Sequence, residues 1–278
     1  MTDCVACGGV LNPVLAPAVI HPSCLMVEEP DGGDSFSSLL KQQLTDIIRW
    51  YDGENPRSKQ QAIGPSEIGD PCDRRLGMRL ADVPPVNTRF DPWAGIVGTA
   101  LHSWLEKAVT AWGKEQGSED WHTETTLILN EFIEGHADLY NVEHKAVVDW
   151  KSASKDVIRM SELHGPSPGY MIQTHLYGYM FEQAGIPVER VALVFLPRAG
   201  WLREMYVWSA PYERDVAENA LSRLYRIAQQ VVDLDVLTQS HRWEQVDHTP
   251  GKGCAFCPWF DSHRDPERAA DDTGCPGN

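Results

Sequence analysis

Gly135-His-Ala-Asp-Leu-Tyr-Asn-Val-Glu-His-Lys-Ala-Val-Val-Asp-Trp-Lys151 is the stretch on which the reading of this chain turns. Ala137 to Tyr140 is short and mostly apolar, Asn141 to His144 is polar and turn-like, and Ala146 to Lys151 is β-branched and then polar. That pattern predicts two strands joined by a tight connection. Side chains alternate faces along a strand, so Asp149 and Lys151 point the same way, and Asp138 on the partner strand can come alongside them, next to Trp150. Two carboxylates suit a hard divalent cation such as Mg²⁺ or Mn²⁺. A lysine beside them can orient a water and offset charge building on a phosphate. The same residues also read as a hairpin with a surface ion pair, and the choice between the two depends on the rest of the chain.

Working outward, 278 residues with 42% hydrophobic content allow one large domain, or a domain with small appendages, around a substantial core. No run is long and apolar enough to span a membrane, and the N-terminus lacks the basic and apolar regions of a signal peptide, which predicts a cytoplasmic protein. In a reducing compartment the seven cysteines point to metal ligation over disulfides. The net charge of −16 excludes a broad nucleic-acid-binding surface and leaves room for a narrow basic channel. Arg74, Arg75 and Arg79 form one basic cluster and Lys151, Lys155 and Arg159 another; each also fits a solvated face.

Towards the N-terminus, Cys4, Cys7, His21 and Cys24 have the spacing of a tetrahedral zinc site, in a segment too poor in apolar residues to fold without metal. Incidental cysteines on a frayed terminus are the alternative. Glu28 to Ser38 reads as a linker, and Phe36 to Tyr51 has helical apolar spacing. Pro65 and Ser66 mark a helix start. Pro92 to Gly113 reads as a long helix that brings Gly98 and His102 onto one face, where the glycine would permit close approach to a sheet. A histidine there also fits an ordinary core position. Thr123 to Leu129 is β-rich and pairs with the hairpin. The segment from Lys151 through Gly169 reads as a loop, and Tyr170 to Ala184 as a helix with Gln173 and Tyr177 one turn apart. Arg190 to Pro197 and Leu202 to Trp208 read as a strand pair, and Pro211 to Leu234 as a long helix. The order of elements is that of an α/β fold. Near the C-terminus Cys254 and Cys257 form a metal knuckle by spacing and Cys275 follows. These three need a fourth ligand, and Cys72 is the one cysteine left once the N-terminal group is assigned.

Together these motifs resemble the RecB-like branch of the PD-(D/E)XK nuclease superfamily, and within it the Fe–S exonucleases of the CRISPR-associated and bacteriophage type. Gly98-Thr-Ala-Leu-His102 resembles the family's helical histidine motif, Gly135-His-Ala-Asp138 its Gly-x-x-Asp motif, Val148-Asp149-Trp-Lys151 its Asp-x-Lys motif, and Gln173-Thr-His-Leu-Tyr177 its Gln-x-x-x-Tyr motif. Cys72, followed by Arg74 and Arg75, resembles the first cluster cysteine, and Cys254, Cys257 and Cys275 the last three. Cys275 lies farther from the Cys-x-x-Cys pair than is usual in the family, and His263 stands nearer the usual place; Cys275 is preferred because thiolates suit a cluster better than imidazole. The N-terminal Cys/His group lies outside the family pattern.

The resemblance implies a restriction-endonuclease-like mixed sheet flanked by helices, in a nuclease domain over residues 64–278, preceded by a zinc module at 1–30 and a linker and helix at 31–63. It implies a metal-dependent DNA exonuclease acting in phage or bacterial DNA recombination, repair or processing. His102, Asp138, Asp149 and the main-chain carbonyl of Trp150 would hold Mn²⁺ or Mg²⁺, Lys151 would position the attacking water, and Gln173 and Tyr177 would orient the substrate or Lys151. A 4Fe–4S cluster on Cys72, Cys254, Cys257 and Cys275 would clasp the two ends of the domain. The implied partners are DNA with a free end and a single-strand annealing protein, and no membrane. A non-catalytic nucleic-acid-binding or recombination scaffold, using its metal modules for recognition, is the competing reading.

Overall fold

Short polar turns set the register of the sheet that carries the central stretch. The structure, a computed structural model, describes residues 36–54, 62–87, 91–250, 252–261 and 275. Strands β1 (Trp121–Asn130), β2 (Ile133–Asn141) and β3 (Ala146–Ala153) form an antiparallel meander. Asparagine makes both turns: Asn130 Oδ1 accepts from the amides of Phe132 and Ile133, and Asn141 Oδ1 from that of His144. Strand β4 (Arg190–Pro197) then pairs parallel with β3, and β5 (Tyr206–Pro211) antiparallel with β4, giving a five-stranded mixed sheet in sequence order. A parallel neighbour requires a crossover, supplied by helices α5 (Lys155–His164) and α6 (Pro168–Gln183). The predicted α/β class and hairpin are thus observed.

Some predicted elements differ. The segment expected as a loop after Lys151 contains α5, because Ser154 caps it by accepting from the Val157 amide and Ile158 packs with Ala153, Leu193 and Phe195. Gly165, with φ of 81°, ends it. The last strand begins at Tyr206 and not Leu202, since Leu202–Glu204 forms a 3₁₀ turn closed by the Glu204 carboxylate on the Trp201 amide.

Helices α2 (Pro65–Ile68) and α3 (Asp73–Leu80) precede α4 (Trp93–Gln116), which packs against β1 and β3. Helix α7 (Arg214–Asp233) buries Ala217, Ala220, Leu221, Leu224, Ile227 and Val231, a stripe at helical spacing. It packs on α6, which is buried on most of its circumference. Close backbone approach occurs between α2 and α6: a Cβ on Gly69 would lie 2.5 Å from the Gly169 carbonyl oxygen. At Gly98, where close approach was expected, a Cβ would meet nothing within 4 Å. The chain divides into two units, residues 1–54 and 55–278; the described part of the first is helix α1 (Phe36–Glu54), close to its predicted span.

Candidate active site

Asp138 sits where the ladders on both of its sides are interrupted. β1 pairs with β2 at Thr123–Leu139 and again at Thr125–Ala137, stepping over Glu124. β2 pairs with β3 up to Leu139–Val148, one residue short of Asp149. Continuing the register places Glu124, Asp138 and Asp149 in one cross-strand row. The opening is filled by side chains. The Trp150 amide of β3 donates to Asp138 Oδ2 at 2.8 Å, so a carboxylate takes the place of a ladder carbonyl. Asp138 Oδ1 lies 2.8 Å from Nδ1 of His102, which α4 brings over the sheet.

The second half of the site lies between β3 and α6. Gln173 donates through Nε2 to Asp149 Oδ1 at 2.9 Å and accepts through Oε1 from Lys151 Nζ at 2.7 Å. Lys151 Nζ is 2.6 Å from Asp149 Oδ2 and 4.9 Å from the centre of the Tyr170 ring. Asp149 Oδ2 faces the ammonium as an ion pair without the alignment of a hydrogen bond. Helical spacing stacks the buried Tyr177 one turn from Gln173 on the same face of α6.

Burial dominates the electrostatics. It pushes the buried Asp149 carboxyl up to about 6, against the pull of Lys151 and with a further push from Asp138. Burial holds the Tyr177 hydroxyl above its ordinary range, and the charges of Asp149 and Asp138 add to that. At His102 burial works downward, but the Asp138 hydrogen bond and the charges of Asp138 and Asp149 outweigh it and raise the imidazole.

His102, Asp138, Asp149, Trp150, Lys151, Gln173 and Tyr177 are gathered from α4, β2, β3 and α6. Glu124 was not among the predicted residues. Ligand atoms of His102, Glu124 and Asp138 all lie within 4.8 Å of one another, the only such trio of His, Cys, Asp or Glu among the described residues. Mixed nitrogen and carboxylate donors at this spacing fit Mn²⁺ or Mg²⁺. The available signal was a lone glutamate in the strand before the hairpin, and recognising it needs the strand register.

A second cluster lies away from these residues. Cys72, Cys254, Cys257 and Cys275, with Arg74 and Arg75, line one cavity of about 140 Å³. Cys72 caps α3, accepting from the Arg75 amide at 3.4 Å, and Arg74 donates to Cys275 Sγ at 3.5 Å. Burial raises the Cys257 thiol. The neighbouring arginines are not a basic channel. Arg74 is buried and donates to the carbonyls of Val246 and Glu244, Arg75 pairs with Asp70 at 3.0 Å, and Arg79 pairs with Glu67 at 2.7 Å. In the other predicted cluster Lys155 pairs with Glu204 at 3.1 Å. Cys4, Cys7, His21, Cys24 and His263 lie outside the described residues.

No family model matches the sequence. No curated protein matches it. Among solved structures the chain is similar to a phage-related exonuclease from Haemophilus somnus 129PT, at 15% identity over 58% of this chain and 81% of that one, with a TM-score of 0.43. It is similar to an alkaline exonuclease from Laribacter hongkongensis at 11% identity, over 64% of this chain and 91% of that one, with a TM-score of 0.43. The latter protein in complex with dAMP aligns at 10% identity over 65% and 93% of the two chains, with a TM-score of 0.43.

Proposed function

We propose that this chain is a divalent-metal-dependent DNA exonuclease that hydrolyses phosphodiester bonds from a free end, in phage or bacterial recombination, repair or processing. The observation that carries the reading is the Asp149–Lys151–Gln173 network set beside the His102–Asp138 pair. A surface ion pair has no use for a carboxylate wholly inside the protein facing a half-buried lysine held by two partners. His102, Asp138, Asp149 and the Trp150 carbonyl are the residues that would hold Mn²⁺ or Mg²⁺. Such a cation, when bound, polarises a phosphodiester and lowers the pKa of water. Lys151 Nζ has three donors; one goes to Gln173 Oε1 while Asp149 Oδ2 lies 2.6 Å away as an ion pair, so the ammonium keeps a donor for a water or a phosphate oxygen. Gln173 fixes that ammonium against Asp149, and Tyr177, one helical turn on, orients the substrate or Lys151.

The proposal extends to a 4Fe–4S cluster on Cys72, Cys254, Cys257 and Cys275. The four thiols line one cavity, drawn from both ends of the domain, and four thiolates are the usual complement of a cubane cluster. The zinc module at Cys4, Cys7, His21 and Cys24, and a single-strand annealing protein as partner, complete the reading.

The test is incubation of the purified chain with end-labelled single- and double-stranded DNA in Mn²⁺, Mg²⁺ or EDTA. Degradation should require the metal, and Asp149→Ala or Lys151→Ala should lower it by about three orders of magnitude or more, since these groups act as a unit. Near-normal activity in either folded variant would show that the active site lies elsewhere. Tight DNA binding without cleavage in any metal would favour the scaffold reading.

A further inference from the structure

Three carboxylates in adjacent strands of one sheet row repel one another, and like charges directly opposite destabilise a sheet. His102 offsets one side of the row at Asp138 and Lys151 the other at Asp149. Glu124 stands at the β1 end of the row. Its backbone is left-handed, with φ of 46°, a conformation that costs a glutamate energy and suits glycine, asparagine or aspartate. The neighbouring residues Thr123 and Thr125 both pair regularly with β2, so the departure is confined to the one residue facing Asp138. Its carboxylate lies within 4.8 Å of the donor atoms of both His102 and Asp138. Deeper in the same row, Asp149 Oδ2 is buried and lacks an aligned hydrogen-bond donor.

We infer that Glu124 is a further ligand to the divalent cation, contributed by β1 opposite the residues of the hairpin; this rests on the metal-dependent reading of the site. Glu124 then closes the β1 side of the coordination shell, and His102, Asp138 and Glu124 form a set drawn from three separate elements. A set with several anionic oxygens and one imidazole takes Mn²⁺ or Mg²⁺ and not a soft metal.

The experiment is a Mn²⁺ titration of the full-length chain, following free Mn²⁺ by electron paramagnetic resonance, with Asp138→Asn as the control that removes the site. Glu124→Gln should raise the Kd tenfold or more. Glu124→Asn supplies a readout that a structural role would not produce: asparagine tolerates the left-handed backbone, so the metal-free variant should melt at or above the wild-type temperature while its Mn²⁺ affinity falls. Wild-type affinity in Glu124→Gln, with binding lost in Asp138→Asn, would overturn the role of Glu124 and leave the site standing. Absence of Mn²⁺ binding to the wild-type chain at the level of the Asp138→Asn control would overturn the site itself, and Glu124 with it.

Discussion

Asp149 shows at single-residue scale what the site costs the fold. An ionised carboxylate wholly inside the protein pays for desolvation that Lys151 and Gln173 only partly return, and its pKa rises from 3.8 to about 6. The folded state therefore holds a proton that the unfolded chain releases between about pH 4 and pH 6. Stability from this group is greatest below that window, falls as pH rises through it, and stays at its lowest at neutral pH. In buffer free of divalent metal, Asp149→Asn should be more stable than the wild type by about 2–3 kcal/mol at pH 7 to 8, at about 1.4 kcal/mol per pKa unit. The difference should shrink as pH falls from 6 towards 4. Paired urea titrations across this range measure it, and a gap independent of pH would mean that Asp149 does not carry the buried charge. A cation held by the proposed site would compensate the same charge.

Among the elements, α6 is the one on which the site depends most, because Gln173 and Tyr177 must reach β3 from it. Its N-terminal end is seated by the backbone contact between Gly69 and Gly169, where a Cβ on either glycine would lie 2.5 to 2.7 Å from the other's carbonyl oxygen. Gly135 lies in the same layer: its Cβ would meet Pro65 at 2.7 Å and Tyr177 at 2.9 Å. Backbone cannot retract as a side-chain tip can, so Gly69→Ala should cost about 1–3 kcal/mol by overpacking. Adding Gly169→Ala should cost less than the sum of the two, because both press on the same contact. Thermal melts of the two single variants and the double variant check this, and simple additivity would show that the glycines do not share it.

Across the whole domain, the segment around α3 is tied to the C-terminal part of the chain by side-chain hydrogen bonds. Arg74 reaches the carbonyls of Val246 and Glu244, the Thr249 hydroxyl donates to the Pro71 carbonyl, and the Trp259 indole donates to the Val83 carbonyl. Asp73 of α3 accepts from Arg223 and Arg226 of α7. The proposed cluster, closing so long a loop, would add to this clasp by restricting the unfolded chain. Air-free protein should be brown and approach four iron and four sulfide per chain, and Cys72→Ala should lose the colour and melt several degrees lower. Stoichiometric zinc without sulfide would reject the cluster. Cys275→Ala and His263→Ala, side by side, identify the fourth ligand: bleaching by the histidine change alone would displace Cys275.

The sequence by itself determined those features that follow from short-range chemistry. The hairpin was legible because asparagine turns and β-branched residues act locally, α4 and α7 because apolar residues recur at helical spacing, and the Gln173–Tyr177 pair because one helical turn brings them together. Helix α5 was hidden because its few buried residues, Ile158 and Ser161, are too sparse to show a period beside Gly165 and Pro166. Only the tertiary structure decided that Arg74 is a buried tie and not part of a basic channel, since its partners lie more than 150 residues away in the chain. The same holds for Glu124. A lone glutamate in a threonine-rich strand carries no pattern, and its meaning comes from a register that pairs β1 with β2 and so sets it opposite Asp138. Strand registry and chain-end contacts are long-range choices made by the packed core, and local composition does not encode them.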